Sequence, residues 1–68
     1  MITVNGVPNG LVQPGSTVRA MLDLLGIDAA ARGVAVAVDG EVVPRAEWTN
    51  ATLADDARVE VLAAAQGG

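Results

Sequence analysis

The chain has 68 residues, which is room for one domain around one thin hydrophobic core. It is 51% hydrophobic but only 1% aromatic, so a finely packed core rich in Val, Ala and Leu is expected and disorder is not. A formal net charge of -4 sets it against phosphate backbones and anionic bilayers, so neither nucleic acid nor membrane is an expected partner.

Met1-Ile2-Thr3-Val4-Asn5 lacks the basic start and apolar stretch of a signal peptide. No apolar run approaches the roughly 20 residues that span a bilayer, and a cytoplasmic location is expected. Ile2 and Val4 alternate with Thr3 ahead of Asn5-Gly6, a hairpin dipeptide, and the returning strand is expected at Leu11 and Val12. Pro8-Asn9-Gly10 crowds the same connection and leaves either group as the apex.

Pro14-Gly15 breaks that strand, and Ser16 or Thr17 can N-cap a helix running to about Leu25, where Gly26 stops it. Val18, Met21, Leu22 and Leu25 fall on one helical stripe, the side that lies against a sheet. Arg19 and Asp23 stand at i, i+4 on the other side. Asp28 to Arg32 is expected to add one helical turn closed by Gly33. Val34, Val36 and Val38 then alternate with Ala35 and Ala37 as the clearest strand, and Asp39-Gly40 turns it back through Glu41-Val42-Val43 to Pro44. From Arg45 to Leu53 no period is legible, and Trp48, the one aromatic residue, is expected to pack on the core rather than stack on a ligand. After Asp55-Asp56 a last strand carries Val59, Val61 and Ala63 on one side and Arg58, Glu60 and Leu62 on the other.

Strand, strand, helix, strand, strand, strand is an α+β order. With the helix across one face of a five-stranded mixed sheet and the first and last strands as parallel neighbours, it describes a ubiquitin-like β-grasp. The expected core is Ile2, Val4, Val18, Met21, Leu22, Leu25, Val34, Val36, Val38, Val59 and Val61. A domain over 1–64 then ends in a tail over 65–68, expected to be mobile from about Ala65 because no apolar side chain or cap holds it.

Cys and His are both absent, which removes thiol nucleophiles, disulfides, the usual metal clusters and the side chain best suited to proton transfer near neutral pH. The acidic residues are scattered along turns with no pair framed by apolar neighbours, so neither catalysis, a metal nor a cofactor is expected of this chain alone. Lysine is absent too, which fits either a coding bias toward arginine or protection of an activated acyl group from amines. What remains is the terminus. Gln66-Gly67-Gly68 follows the final strand on a tail of about five residues, roughly 17 Å if extended. Glycine without Cβ can thread a partner's channel and leave its acyl carbon unhindered. The Gly68 carboxylate is a poor electrophile until nucleotide activation turns it into a mixed anhydride.

At Gly33-Val34-Ala35-Val36-Ala37-Val38-Asp39-Gly40-Glu41-Val42-Val43-Pro44-Arg45, on through Glu47-Trp48, the chain resembles the ThiS sulfur carriers of thiamine thiazole biosynthesis. Leu53-Ala54-Asp55, Arg58 to Leu62 and Gln66-Gly67-Gly68 extend the resemblance over essentially the whole length. Asp39-Gly40 replaces the family's usual Asn-Gly and keeps the turn. Asp56-Ala57 stands where a Gly-Asp turn is common, which asks Asp56 for a left-handed backbone. The resemblance implies a carrier and co-substrate, not an enzyme. A ThiF-type adenylating enzyme would activate Gly68, a persulfide sulfur donor would convert it to a thiocarboxylate, and a ThiG-type thiazole synthase would accept the sulfur. A MoaD-like small subunit of molybdopterin synthase, a ubiquitin-type modifier and a plain binding module are the rival readings, in that order. Docking is expected on the open sheet face beside the tail, where Leu62 points away from the core face.

Overall fold

The structure, a computed structural model, describes residues 1–63. Its elements are β1 (Thr3–Val4), β2 (Val7–Pro8), α1 (Val18–Leu24), β3 (Val34–Val38), β4 (Glu41–Val43), a 3-10 turn (Arg45–Glu47) and β5 (Arg58–Ala63). The strands form one sheet in the order β2-β1-β5-β3-β4, with β1 and β5 parallel and every other pairing antiparallel. The helix packs its Val18, Met21 and Leu22 on one face of that sheet. This is the β-grasp arrangement the sequence predicts. The expectations for the tail, its mobility and its boundary, lie outside the described residues.

The return strand of the first hairpin differs from the expectation. Asn5 (φ 52°) and Gly6 (φ 83°) occupy both left-handed positions of a two-residue turn, so pairing resumes at once with Val7 opposite Val4. The strand is Val7–Pro8, not Leu11–Val12. The Asn9 N–H still reaches the Ile2 carbonyl at 2.9 Å, and Asn9 Oδ1 then accepts the Leu11 N–H and bends the chain. That bend splits the apolar pair: Val12 enters the core while Leu11 stays 72% exposed.

The helix has only seven residues, too few to persist without tertiary support. Its support at the start comes from three acceptors. Thr17, not Ser16, is the N-cap and accepts the Ala20 N–H at 3.0 Å, while the Val18 and Arg19 N–H groups donate to the Ala51 and Trp48 carbonyls at 2.9 Å each. The stretch from Arg45 to Leu53 is aperiodic because it is shaped around this helix end rather than by a repeating face. At the other end Gly26 (φ 75°) allows a Schellman closure, with Ile27 N–H on the Leu22 carbonyl and Gly26 N–H on the Asp23 carbonyl.

The extra helical turn expected over Asp28 to Arg32 does not form. Asp28 Oδ1 accepts the Ala30 N–H at 2.9 Å, a side-chain bond that competes with helical pairing. The Arg45 guanidinium donates to the Ala29 and Ala31 carbonyls and lies 4.6 Å from the centre of the Trp48 ring. A non-helical loop is thereby fixed from outside. Trp48 itself is 3% exposed, with its indole N–H on the Val43 carbonyl at 2.9 Å, so it packs on the core as expected.

Register decides what each face of the sheet carries. Val36 pairs with Val61 and with Val43, and Val38 with Val59, so these valines share the helix-covered face. Ile2, Val18, Met21, Leu22, Val36, Val59 and Val61 are buried, and Val4, Leu25, Val34 and Val38 are partly buried against them. Val12, Ala29, Trp48, Leu53 and Ala57 complete the core.

Candidate functional site

The described structure ends on β5, the strand that leads into Gln66, Gly67 and Gly68, and those three candidate residues lie outside it. β5 lies between β1 and β3, paired with β1 at Arg58 and Val59 and with β3 from Val59 through Ala63, so it is an interior strand whose last residues keep their backbone pairing on the β3 side. Its alternation is the cause: Val59 and Val61 are buried under the helix while Arg58, Glu60 and Leu62 face the other way.

On that open face Leu62 is 71% exposed and does not stand alone. The register sets Leu62 opposite Ala35 and sets Val42 opposite Ala37, which gathers these four side chains across three strands. Val42 is 75% exposed. With Asn5 and Glu60 they line a shallow groove of about 230 Å³. Toward the other end of the same face a wider basin is bordered by Thr3, Asp39, Asp56, Arg58 and Glu60. The open face thus has an apolar half beside the tail root and a charged half beyond it. Sequence reasoning singled out Leu62 and missed Ala35, Ala37 and Val42, because only strand register brings them together.

Asn5 ties the turn of the first hairpin to β5. Its backbone N–H donates to the Val59 carbonyl at 2.8 Å. Its carboxamide reaches one rung further, with Oδ1 accepting the Val61 N–H at 2.8 Å and Nδ2 donating to the Val61 carbonyl at 3.2 Å. Asp56 has the left-handed backbone the sequence predicts, φ 65°. Its carboxylate accepts from the Met1 ammonium, with Asp55 3.6 Å from the same nitrogen. The hydrogen bond to Asp56 raises the pKa of that ammonium above its ordinary value of 8.0, and the surrounding charge of both aspartates adds to the effect.

Among the described residues no group of three or more His, Cys, Asp or Glu stands close enough to hold a metal ion, and none of the helices is long and apolar enough to cross a membrane. Among the described residues the open face thus presents an exposed apolar groove beside the strand that leads into the tail.

No curated protein is significantly similar to the chain by sequence. Two solved structures from Geobacter metallireducens are similar to it. One is the crystal structure of a thiamine biosynthesis protein (ThiS), 34% identical with a TM-score of 0.78, the match covering 98% of this chain and 97% of that one. The other is a solution structure of a thiamine biosynthesis protein, 31% identical with a TM-score of 0.79, covering 98% of this chain and 86% of that one. The family model described as ThiS family matches residues 2–68, so the match runs from the first strand through the glycine tail, and the chain belongs to the ThiS family.

Proposed function

We propose that this chain carries sulfur for thiazole formation in thiamine biosynthesis, as a thiocarboxylate on Gly68. The observation that carries the reading is the family match over residues 2–68, which takes in both the β-grasp sheet and the terminal Gly67-Gly68. In the proposed cycle a Gly68 carboxylate oxygen attacks the α-phosphorus of ATP on a ThiF-type enzyme and pyrophosphate leaves. The terminal sulfur of a persulfide then attacks the acyl carbon and displaces AMP. Cleavage of the resulting S–S bond by a thiol leaves the thiocarboxylate, and a ThiG-type thiazole synthase takes the sulfur from it. The chain is co-substrate throughout and the enzymes supply the catalysis, in the cytoplasm.

Activating enzyme and synthase dock, in this reading, on the open sheet face around Leu62, with the tail over 65–68 reaching into their active sites. The exposed Leu62 and Val42 beside the tail root support that placement.

The test is incubation with the activating enzyme, ATP and a persulfide donor. Exchange of one oxygen for sulfur adds nearly the mass of a methionine oxidation, and Met1 and Met21 could mimic it. The peptide after Arg58, which has no Met, is therefore the one that must shift. Deleting Gly68 should abolish the shift and leave the fold unchanged. Full sulfur uptake by the shortened chain, or recovery of the intact chain in isopeptide linkage to lysines, overturns the proposal.

A further inference from the structure

We propose that Asn5 is a positioning residue for the tail: its carboxamide stands in for a missing stretch of β1 and clamps the end of β5 at Val61, seven residues before Gly68. This inference rests on the carrier reading above and assigns a role to a residue that the hairpin turn alone does not exhaust.

The geometry is that of a parallel ladder completed by a side chain. Thr3 N–H donates to the Ala57 carbonyl at 3.0 Å and Asn5 N–H to the Val59 carbonyl at 2.8 Å, the two-residue repeat of parallel pairing. The next rung would need a carbonyl from residue 5 for the Val61 N–H and an N–H from residue 7 for the Val61 carbonyl. β1 cannot supply them, because Asn5 turns left-handed at φ 52° and Val7 is already pairing back on Val4. The carboxamide carries one acceptor and two donors and fills both places, satisfying partly buried groups that would otherwise lose a partner. Since the left-handed turn and the clamp need different properties, they can be separated. Glycine keeps the turn and lacks the clamp. Aspartate tolerates the turn and keeps the acceptor for the Val61 N–H, but it presents oxygen to the Val61 carbonyl in place of the donor.

The consequence for function is mechanical. Pairing with β3 holds the other side of β5 through Ala63, so loss of the clamp frees one side of the strand end without removing it from the sheet. With one side unpaired, β5 frays more often between Val61 and Ala63, and the Gly68 carboxylate is presented less often to an active site on a docked partner. Asn5 borders the groove on the open face, but the groove's exposed apolar side chains, Leu62 and Val42, are left in place, so the loss falls mainly in turnover rather than in binding.

The experiment compares the full chain with Asn5→Gly and Asn5→Asp, at a temperature where circular dichroism shows all three fully folded. Two readouts are taken: exchange protection of the Val61 amide, and pyrophosphate release by the ThiF-type enzyme as a function of carrier concentration. Asn5→Gly should speed Val61 exchange by about tenfold or more. It should lower kcat roughly two- to tenfold with KM within about twofold. Asn5→Asp should keep more of the Val61 protection than Asn5→Gly, because its carboxylate still accepts the Val61 N–H, and its kcat should lie between those of Asn5→Gly and the unsubstituted chain. Unchanged Val61 protection in Asn5→Gly overturns the clamp, and lost protection with wild-type kcat overturns the positioning role. A fall confined to thermal stability assigns Asn5 to the turn alone and also overturns it. If the unsubstituted chain releases no pyrophosphate, the carrier reading fails and takes the positioning role with it, while Val61 exchange still decides whether the clamp exists.

Discussion

Replacing Trp48 by alanine should bring this domain close to global unfolding. The side chain is 3% exposed, and a buried tryptophan removes on the order of 200 Å² from water. At about 25 cal/mol per Å² that is roughly 5 kcal/mol as an upper figure, and measured Trp→Ala losses run at about 3–5 kcal/mol. Stability of about 0.05–0.15 kcal/mol per residue gives a 68-residue chain roughly 3–10 kcal/mol in all. The substitution therefore removes about three-tenths of the stability at least, and at the lower end all of it. Trp48→Phe separates the packing from the polar contact: it keeps most of the ring surface and deletes the indole N–H that the Val43 carbonyl accepts at 2.9 Å, for a loss of about 1–2 kcal/mol. Urea unfolding followed by far-UV circular dichroism reads both, since tryptophan fluorescence disappears with the residue. With a slope of about 1 kcal/mol per molar urea, Trp48→Phe should lower the midpoint by about 1–2 M, and Trp48→Ala should leave little or no folded baseline. A Trp48→Ala midpoint within about 1 M of the unsubstituted chain would refute the reasoning, because the segment that holds the start of the helix would then not depend on the ring beneath it.

Two further outcomes are expected. Leu62→Glu, at a position 71% exposed, should change stability by no more than about 0.5 kcal/mol yet raise KM for the activating enzyme about tenfold; ordinary adenylation kinetics in a folded variant would remove Leu62 from the docking surface. Stability should also fall in alkaline solution through one group. The Met1 ammonium has a folded pKa raised above 8.0, so its contribution is complete below the unfolded value and is lost as pH rises through the folded one. The chain has no His, Cys, Tyr or Lys, so the decline is assigned to this ammonium. The urea midpoint should therefore decline above about pH 8, and an Asp55→Asn, Asp56→Asn double variant should lose that decline. An equal decline in the double variant would show that the aspartates do not hold the ammonium.

Much of this fold is encoded in short-range chemistry. The valine alternation in β3 and β5, the apolar stripe of Val18, Met21 and Leu22 and the Asp39-Gly40 turn each follow from a few neighbouring residues, the β-grasp order follows from their succession, and the left-handed Asp56 follows from the family resemblance. Long-range contacts set the rest. Leu11 and Val12 carry a strand-like signal, yet the pairing belongs to Val7–Pro8, because a turn with two left-handed residues sets register more strongly than apolar content does. Asp28 to Arg32 carries a helical signal, yet a guanidinium from 14 and 16 residues away holds its carbonyls in a loop. The aperiodic stretch around Trp48 makes sense only as the receiver of the Val18 and Arg19 N–H groups. The candidate site divides in the same way. Exposure of Leu62 follows from alternation along one strand, whereas its union with Ala35, Ala37 and Val42 depends on pairing across three. The reach of Asn5 to Val61 spans 56 positions of sequence. No local pattern can encode such partners, because the hydrogen-bonding groups concerned meet only after the first and last strands lie side by side.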